Sequence, residues 1–151
     1  SGTPATPIGF GGSASDPKGF AAHQANIRLE DNVRYSRVLE THPKWVDGGW
    51  IYGFYPEVTV PSGARLVADV GFLSGASESD GVIFRIHFWR TGSTMPEVLG
   101  SINAKYDGHL DHFDIDLSGL VGKKGKIGLE VLAGTSADQD WAAWANVKVL
   151  R

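Results

Sequence analysis

The sequence predicts an all-β fold, a two-sheet antiparallel β-sandwich with jelly-roll connections. Short segments rich in Val, Ile, Phe, Tyr and Trp alternate with clusters of Gly, Asp, Ser and Pro, and no helical period extends beyond two turns. Within these segments apolar and polar residues alternate at period two, which is typical of strands with one solvated face. About nine such strands are too many for one twisted open sheet, so two packed sheets are expected.

Residues 1–19 are predicted to be a linker or flexible arm, because Gly, Pro, Ser and Thr dominate them. Residues 20–151 are predicted to form a single β-sandwich domain, since a chain of 151 residues suits one hydrophobic core. The predicted strands are 25–30, 50–53, 57–60, 65–73, 81–90, 98–105, 113–117, 126–132 and 143–150.

The period-two pattern also predicts which side chains enter the core. In segment 81–90 the even-numbered residues from Val82 to Phe88 are all apolar, whereas the other face is mixed polar and aromatic. Segment 116–122 is expected to form at most one helical turn, because its two glycines disfavour a longer helix. The predicted core residues are Leu66, Val70, Val82, Phe84, Ile86, Phe88, Phe113, Ile115, Leu129 and Val131.

Charge and composition argue against several classes of function. The formal net charge is −3, and the 14 Lys and Arg residues are scattered, so nucleic acid is not expected as a partner. There is no cysteine, which removes disulfides and thiolate metal sites. No apolar run approaches the roughly 20 residues of a membrane span, and membrane insertion is not expected.

Four segments, in this order, carry a family resemblance: GGWIYGFYPEVTVPSGARLVADVGFL, SDGVIFRIHF, DIDLSGLVGKKGKIGLEVLAG and DQDWAAWANVKVL. Together they resemble the NPCBM-type carbohydrate-binding modules, within the wider galactose-binding-like jelly rolls. The resemblance spans about 25–151, and the ending with Asp140, Trp141 and Trp144 is its most specific part. One departure is Asn146, which stands where the family's last strand often has an acidic residue.

The resemblance implies a non-catalytic module of a larger exported protein, covalently linked to its other domains. Its expected location is extracellular or at the cell surface, and its expected partner is a glycan or polysaccharide. In the wider group a structural calcium ion is common. The alternative is a structural or protein-interaction β-sandwich without a sugar ligand.

Two groups of residues are candidates for glycan binding. Trp45 and Trp50 flank Asp47 and two glycines in a predicted loop, where exposed rings can stack on the apolar face of a pyranose and the carboxylate can accept hydrogen bonds from hydroxyls. Arg85, His87 and Trp89 project from one face of a predicted strand. The loop is the preferred site. In the competing interpretations the loop tryptophans pack beneath the loop, and the strand residues form an ordinary solvated face.

The calcium implied by the resemblance has four candidate ligands. Glu30 and Asp31 lie near the start of the sandwich, Asp138 and Asp140 lie before its last strand, and galactose-binding-like domains bring these two ends together. Calcium takes six to eight oxygen ligands, which carboxylates and backbone carbonyls supply. The alternative is that these acidic residues serve only to form turns.

No enzyme active site is predicted. His109 and His112 have no apparent third zinc ligand, and no nucleophile elbow, phosphate-binding loop or dinucleotide fingerprint occurs.

Overall fold

A computed structural model of the chain describes residues 5–151. Ten strands make up most of this part of the chain, and a single 3₁₀ turn, Ser118–Leu120, lies within predicted segment 116–122. No helix among residues 5–151 is long and apolar enough to cross a membrane. The strands are β1 (Phe20–Arg28), β2 (Arg34–His42), β3 (Trp50–Phe54), β4 (Val58–Thr59), β5 (Arg65–Phe72), β6 (Val82–Arg90), β7 (Glu97–Ala104), β8 (Asp111–Asp116), β9 (Lys124–Ala133) and β10 (Ala142–Leu150).

The strands form two antiparallel sheets, which confirms the predicted all-β sandwich. The first sheet has the order β1-β2-β10-β5-β8. The second has the order β3-β9-β6-β7, and the short β4 extends it by pairing with β9 beyond the end of β3. Neighbours in the sheets are mostly distant in sequence, so the chain crosses repeatedly between the two layers.

The core lies between the sheets and follows the predicted alternation. Phe84 and Trp144, from opposite sheets, meet edge to face with ring centroids 5.0 Å apart, and Phe113 stacks on the Trp144 indole at 6.1 Å. Nine of the ten predicted core residues are buried, and the tenth, Ile115, is half-buried and packs against the same cluster. The assignment of strand faces is therefore confirmed.

Strand β2 is the element that the sequence pattern missed. Its sequence, RYSRVLETH, carries charged residues at Arg34, Arg37 and Glu40, which hides the alternation. It nevertheless lies between β1 and β10; its backbone pairs with β1 along its length and with β10 over residues 39–41. Strand β1 also begins earlier than predicted, at Phe20 instead of residue 25.

The first part of the predicted arm, residues 1–4, lies outside the described residues. Residues 5–19 contain no strand, yet they contact the domain. Ile8 packs against the core, and the Gly11 N–H donates a hydrogen bond to the Ala21 carbonyl at 2.7 Å. The segment therefore covers the side of the sandwich where β1 is the edge strand.

Candidate ligand-binding face

Strand β3 presents aromatic rings on the outer face of the second sheet. Its sequence, WIYGF, alternates so that Ile51 enters the core while Trp50, Tyr52 and Phe54 point the other way. Because β3 is an edge strand of this sheet, the three rings lie along its margin.

The three rings continue into a fourth from β6. Trp50 stacks on Tyr52 with centroids 5.1 Å apart, Tyr52 meets Phe54 edge-on at 5.5 Å, and Phe54 meets Trp89 at 5.4 Å. We call these four residues, Trp50, Tyr52, Phe54 and Trp89, the aromatic row. Tyr52 and Trp89 are exposed at its surface, so the row offers apolar area to a ligand.

Strand register brings polar groups beside the aromatic row. Glu130 of β9 lies opposite Tyr52 on one side and opposite Arg85 on the other. Gly128, two residues before Glu130 in β9, lies opposite Phe54 on one side and opposite His87 on the other. Gly128 has no side chain, and the ring of Phe54 lies over its Cα. The outer face therefore has a line of rings on one side and charged groups on the other.

A hydrogen-bonded pair lies at the centre of this face. His87 Nε2 is 2.6 Å from Glu130 Oε2, and Arg85 Nη1 is 3.8 Å from the same oxygen. His87 Nδ1 is buried and has no partner among the described residues. The Trp89 indole N–H donates to the Ser93 carbonyl at 2.8 Å, which fixes the orientation of its ring.

A shallow cavity of about 330 Å³ joins the rings and the polar pair. All four residues of the aromatic row line it, together with His87, Glu130 and Pro96. This volume is at the lower end of the range for small-molecule sites, about 300–1,000 Å³. Rings for stacking and hydrogen-bonding groups within one cavity are suited to a ligand with both apolar faces and hydroxyls.

The structure brings together four of the six predicted ligand-binding residues. Trp50, His87 and Trp89 line this cavity, and Arg85 reaches it through Glu130. Asp47 lies in an adjoining cavity of about 550 Å³, which shares Trp50 and Tyr52 with the first.

Trp45 belongs to a different environment. Its ring stacks on the buried His42 ring at 3.9 Å, and His42 stacks in turn near Phe20 at 5.9 Å. His42 Nδ1 is 2.6 Å from the Pro43 carbonyl, and burial lowers the pKa of His42. Trp45 therefore covers a buried histidine, which is the packing interpretation of this tryptophan.

Three residues of the face were not among the sequence candidates: Tyr52, Phe54 and Glu130. The alternation in WIYGF is a sufficient signal for the first two, since it places them on the same side as Trp50. Glu130 required knowledge of the register between β3, β9 and β6, which one sequence does not contain.

The first pair of predicted calcium ligands is engaged in hydrogen bonds. Glu30 Oε1 accepts from the Phe72 N–H, and Oε2 accepts from the N–H groups of Asp107 and Gly108, at 2.8–3.1 Å. Burial raises the pKa of Glu30. Asp31 accepts from the Val33 N–H and the Tyr35 hydroxyl. These two carboxylates hold loops and strand ends together.

In the second pair, Asp138 is exposed and Asp140 is fully buried. Asp140 Oδ1 accepts from the Ser79 hydroxyl at 2.5 Å, whereas Oδ2 is buried without a partner among the described residues. Burial, with the nearby charges of Asp80 and Asp138, raises the pKa of Asp140 to about 6. No group of three or more His, Cys, Asp or Glu side chains within residues 5–151 is arranged to hold a metal ion. Because calcium also takes backbone carbonyl ligands, this does not test the site, and calcium stays a prediction.

Comparison with known proteins identifies the fold. No protein-family model and no curated protein matches the sequence. Among solved structures, the chain is similar to the carbohydrate-binding module TmCBM61 in complex with β-1,4-galactotriose, with 15% identity and a TM-score of 0.53 over 81% of this chain and 75% of that chain. It is also similar to the C-terminal CBM6 of the laminarinase LamC from Zobellia galactanivorans, with 17% identity and a TM-score of 0.46 over 87% of this chain and 88% of that chain. The similarity to TmCBM61 shows that the chain has the β-sandwich fold of such a module.

Proposed function

We propose that the chain is a non-catalytic carbohydrate-binding module and that the aromatic row is its glycan platform. The observation that supports this most strongly is the continuity of the four rings, which extend from β3 to β6 with neighbouring centroids 5.1–5.5 Å apart. The rings lie in one cavity with a histidine and a carboxylate.

The chemistry of a sugar matches both halves of this face. A pyranose has apolar C–H surfaces that pack against aromatic rings, and its hydroxyls both donate and accept hydrogen bonds. Glu130 accepts hydrogen bonds, Arg85 donates them, and His87 does either according to its tautomer. A glycan placed on the aromatic row would have these three groups beside its hydroxyls.

The proposed setting is a larger exported protein in which this module is covalently linked to other domains, at an extracellular or cell-surface location. The resemblance to NPCBM-type modules and the fold shared with TmCBM61 support this proposal. The module would then hold its parent protein on a polysaccharide. Because TmCBM61 binds β-1,4-galactotriose, this oligosaccharide is the first ligand to test.

The test is a glycan array followed by isothermal titration calorimetry, beginning with β-1,4-galactotriose. Trp89→Ala removes a ring of the aromatic row, and Trp45→Ala is its matched control, since the two side chains are 37% and 38% exposed. Trp89→Ala should weaken binding about tenfold or more, as expected for an aromatic hot spot, while Trp45→Ala should leave it unchanged. Absence of binding to every glycan tested would overturn the proposal and favour a structural or protein-interaction module.

A further inference from the structure

The cavity of about 550 Å³ that adjoins the outer face lies beside Trp50, at one end of the aromatic row. It shares Trp50 and Tyr52 with the cavity of that face, so an oligosaccharide lying over the rings can extend into it. Its other walls come from the arm and from the loop between β2 and β3. These two segments bring charge to the cavity, because each contributes a lysine to its lining, Lys18 and Lys44.

Backbone contacts between the arm and the loop hold the two lysines at the same cavity. The Trp45 N–H donates a hydrogen bond to the Pro17 carbonyl at 3.2 Å, and these residues are the sequence neighbours of the two lysines. Gly19 allows this approach, because a Cβ atom there would lie 3.1 Å from the Lys44 backbone nitrogen. The fold therefore places together two positive charges that are distant in sequence.

The loop that carries Lys44 is fixed at its other end as well. The Ala133 N–H donates a hydrogen bond to the Gly49 carbonyl at 2.7 Å, and the Gly48 N–H donates to the Gly134 carbonyl at 3.1 Å. Both bonds tie the loop to the end of β9. A wall that is already fixed loses little conformational freedom when a ligand binds.

Neither lysine has an ion-pair partner among the described residues. No carboxylate oxygen within residues 5–151 lies within 4.0 Å of either ammonium group, and residues 1–4 contain no Asp or Glu. Asp16 accepts a hydrogen bond from the Lys18 backbone N–H. Asp47 is the one acidic residue in the described lining, so the two lysines leave the cavity with a net positive charge. A bound anion would offset the repulsion between the two like charges.

We propose that this cavity binds the anionic group of an acidic sugar, a carboxylate or a sulfate ester, within the same glycan that lies on the aromatic row. The ligand of the module is then an acidic polysaccharide. This inference rests on glycan binding at the aromatic row, as proposed above. The ammonium groups donate charge-assisted hydrogen bonds to either anion, and Trp50 supplies a ring beside them. Both lysines are exposed, so each ion pair contributes modestly and the two act together.

The test compares charged oligosaccharides with their neutral counterparts by isothermal titration calorimetry on the full chain. Trigalacturonic acid is paired with its methyl ester, and κ-carrageenan tetrasaccharide is paired with its desulfated form, so the two pairs distinguish a carboxylate from a sulfate ester. At low ionic strength, at least one charged probe should bind about fivefold to tenfold more tightly than its neutral counterpart. This preference should shrink in about 1 M salt, where exposed charges are screened.

The lysines are tested by a double variant with a matched control. Lys18→Met with Lys44→Met removes both charges, keeps most of each side-chain stem, and should abolish the preference for the charged probe. Lys105→Met with Lys148→Met makes the same change in net charge at two exposed lysines outside this cavity, and should keep the preference. Asp47→Asn removes the opposing charge from the lining and should increase the preference.

The outcomes separate this inference from the proposed function. If neutral glycans bind in a way that requires Trp89, while neither charged probe exceeds its neutral counterpart, the anionic site is overturned and the aromatic platform stands. If no glycan binds, charged or neutral, both are overturned. An equal loss of preference in the two double variants would also overturn the site, since it would reflect net charge alone.

Discussion

Phe54 and Gly128 are paired across β3 and β9, and the ring of Phe54 occupies the space that a side chain on Gly128 would need. A Cβ atom at Gly128 would come within 2.5 Å of Phe54 Cε1. The glycine thus lets the ring lie flat on the sheet and reach Trp89, 5.4 Å away between centroids. The continuity of the aromatic row depends on this missing side chain.

Gly128→Ala should therefore displace the Phe54 ring and weaken glycan binding. The alanine itself is compatible with the extended backbone, so the free energy of unfolding should change by only about 1 kcal/mol. Calorimetric titration with the ligand found for the wild type measures the first effect, and urea unfolding measures the second. Gly53→Ala is the control, because no atom lies within 4 Å of the added methyl group, and it should bind normally. Unchanged binding by Gly128→Ala would show that the position of Phe54 is irrelevant.

Trp50 and Trp45, which the sequence placed in one loop site, should respond differently to truncation. Trp50→Ala removes one end of the aromatic row and should weaken glycan binding about tenfold or more, with a loss of stability below about 2 kcal/mol. Trp45→Ala uncovers the buried His42 and should cost about 1 kcal/mol of stability with binding intact. Thermal melts and titrations of both variants compare the two. A stability loss of about 3–5 kcal/mol in Trp50→Ala, the cost of a core residue, would contradict its assignment to the platform.

Glu130 should contribute both to the free energy of unfolding and to glycan binding. In Glu130→Ala the mostly buried His87 ring would keep neither of its nitrogens paired, which costs about 1–3 kcal/mol. Glu130→Gln retains an oxygen acceptor and should recover part of this loss. The control is Glu97→Gln, since the ion pair of Glu97 with Arg90 is exposed and contributes little. Equal unfolding free energies for Glu130→Ala and Glu97→Gln would disprove a central role for the pair.

Most of the fold was predictable because its determinants are local. Alternating segments such as 81–90 carry their core face in the sequence itself, and nine of the ten predicted core residues are buried. Strand β2 was not predictable in this way. Val38 faces a small second cluster with Leu29 and Ala143, away from the main core, and the position of β2 between β1 and β10 depends on long-range pairing.

The candidate site was only half predictable, for a related reason. Rings at alternate positions of β3 follow from local periodicity, but the neighbourhood of Glu130 is set by three strands that are distant in sequence. Trp45 is exposed outside the strands, as the glycines near it suggest, but its ring also stacks on His42. No local pattern indicates that His42 is buried.

Glu40 should make stability depend on pH. It is buried, and its carboxylate accepts a hydrogen bond from the Gln24 side-chain amide at 2.7 Å. Burial raises the pKa of Glu40 in the folded state, so the folded protein holds a proton that the unfolded chain has released above about pH 4.3. Its contribution to stability is fully present below that pH and is lost as the pH rises through the folded-state pKa.

Glu40→Gln removes this titration, so the stability of wild type and variant should depend differently on pH between acidic and neutral conditions. Melting temperatures measured across this range should fall less steeply with rising pH in the variant than in the wild type. Parallel curves of melting temperature against pH for the two proteins would show that Glu40 ionises in the folded state as freely as in the unfolded chain.

The predicted calcium ion has a direct thermodynamic test. Asp140 Oδ2 is the one carboxylate oxygen among the four predicted ligands that is buried without a partner in the described part of the chain, so a bound cation would give it a partner. An ion that binds only the folded state stabilises it by mass action, by about 2.7 kcal/mol at one hundred times its Kd. For a domain of this size that corresponds to a rise of about 5–10 °C in the melting temperature. The calcium prediction therefore requires that EDTA lowers the melting temperature, that calcium restores it, and that Asp140→Asn abolishes the difference. Identical melting in EDTA and in calcium would remove the site and leave Glu30, Asp31, Asp138 and Asp140 as residues that shape turns and anchor strand ends.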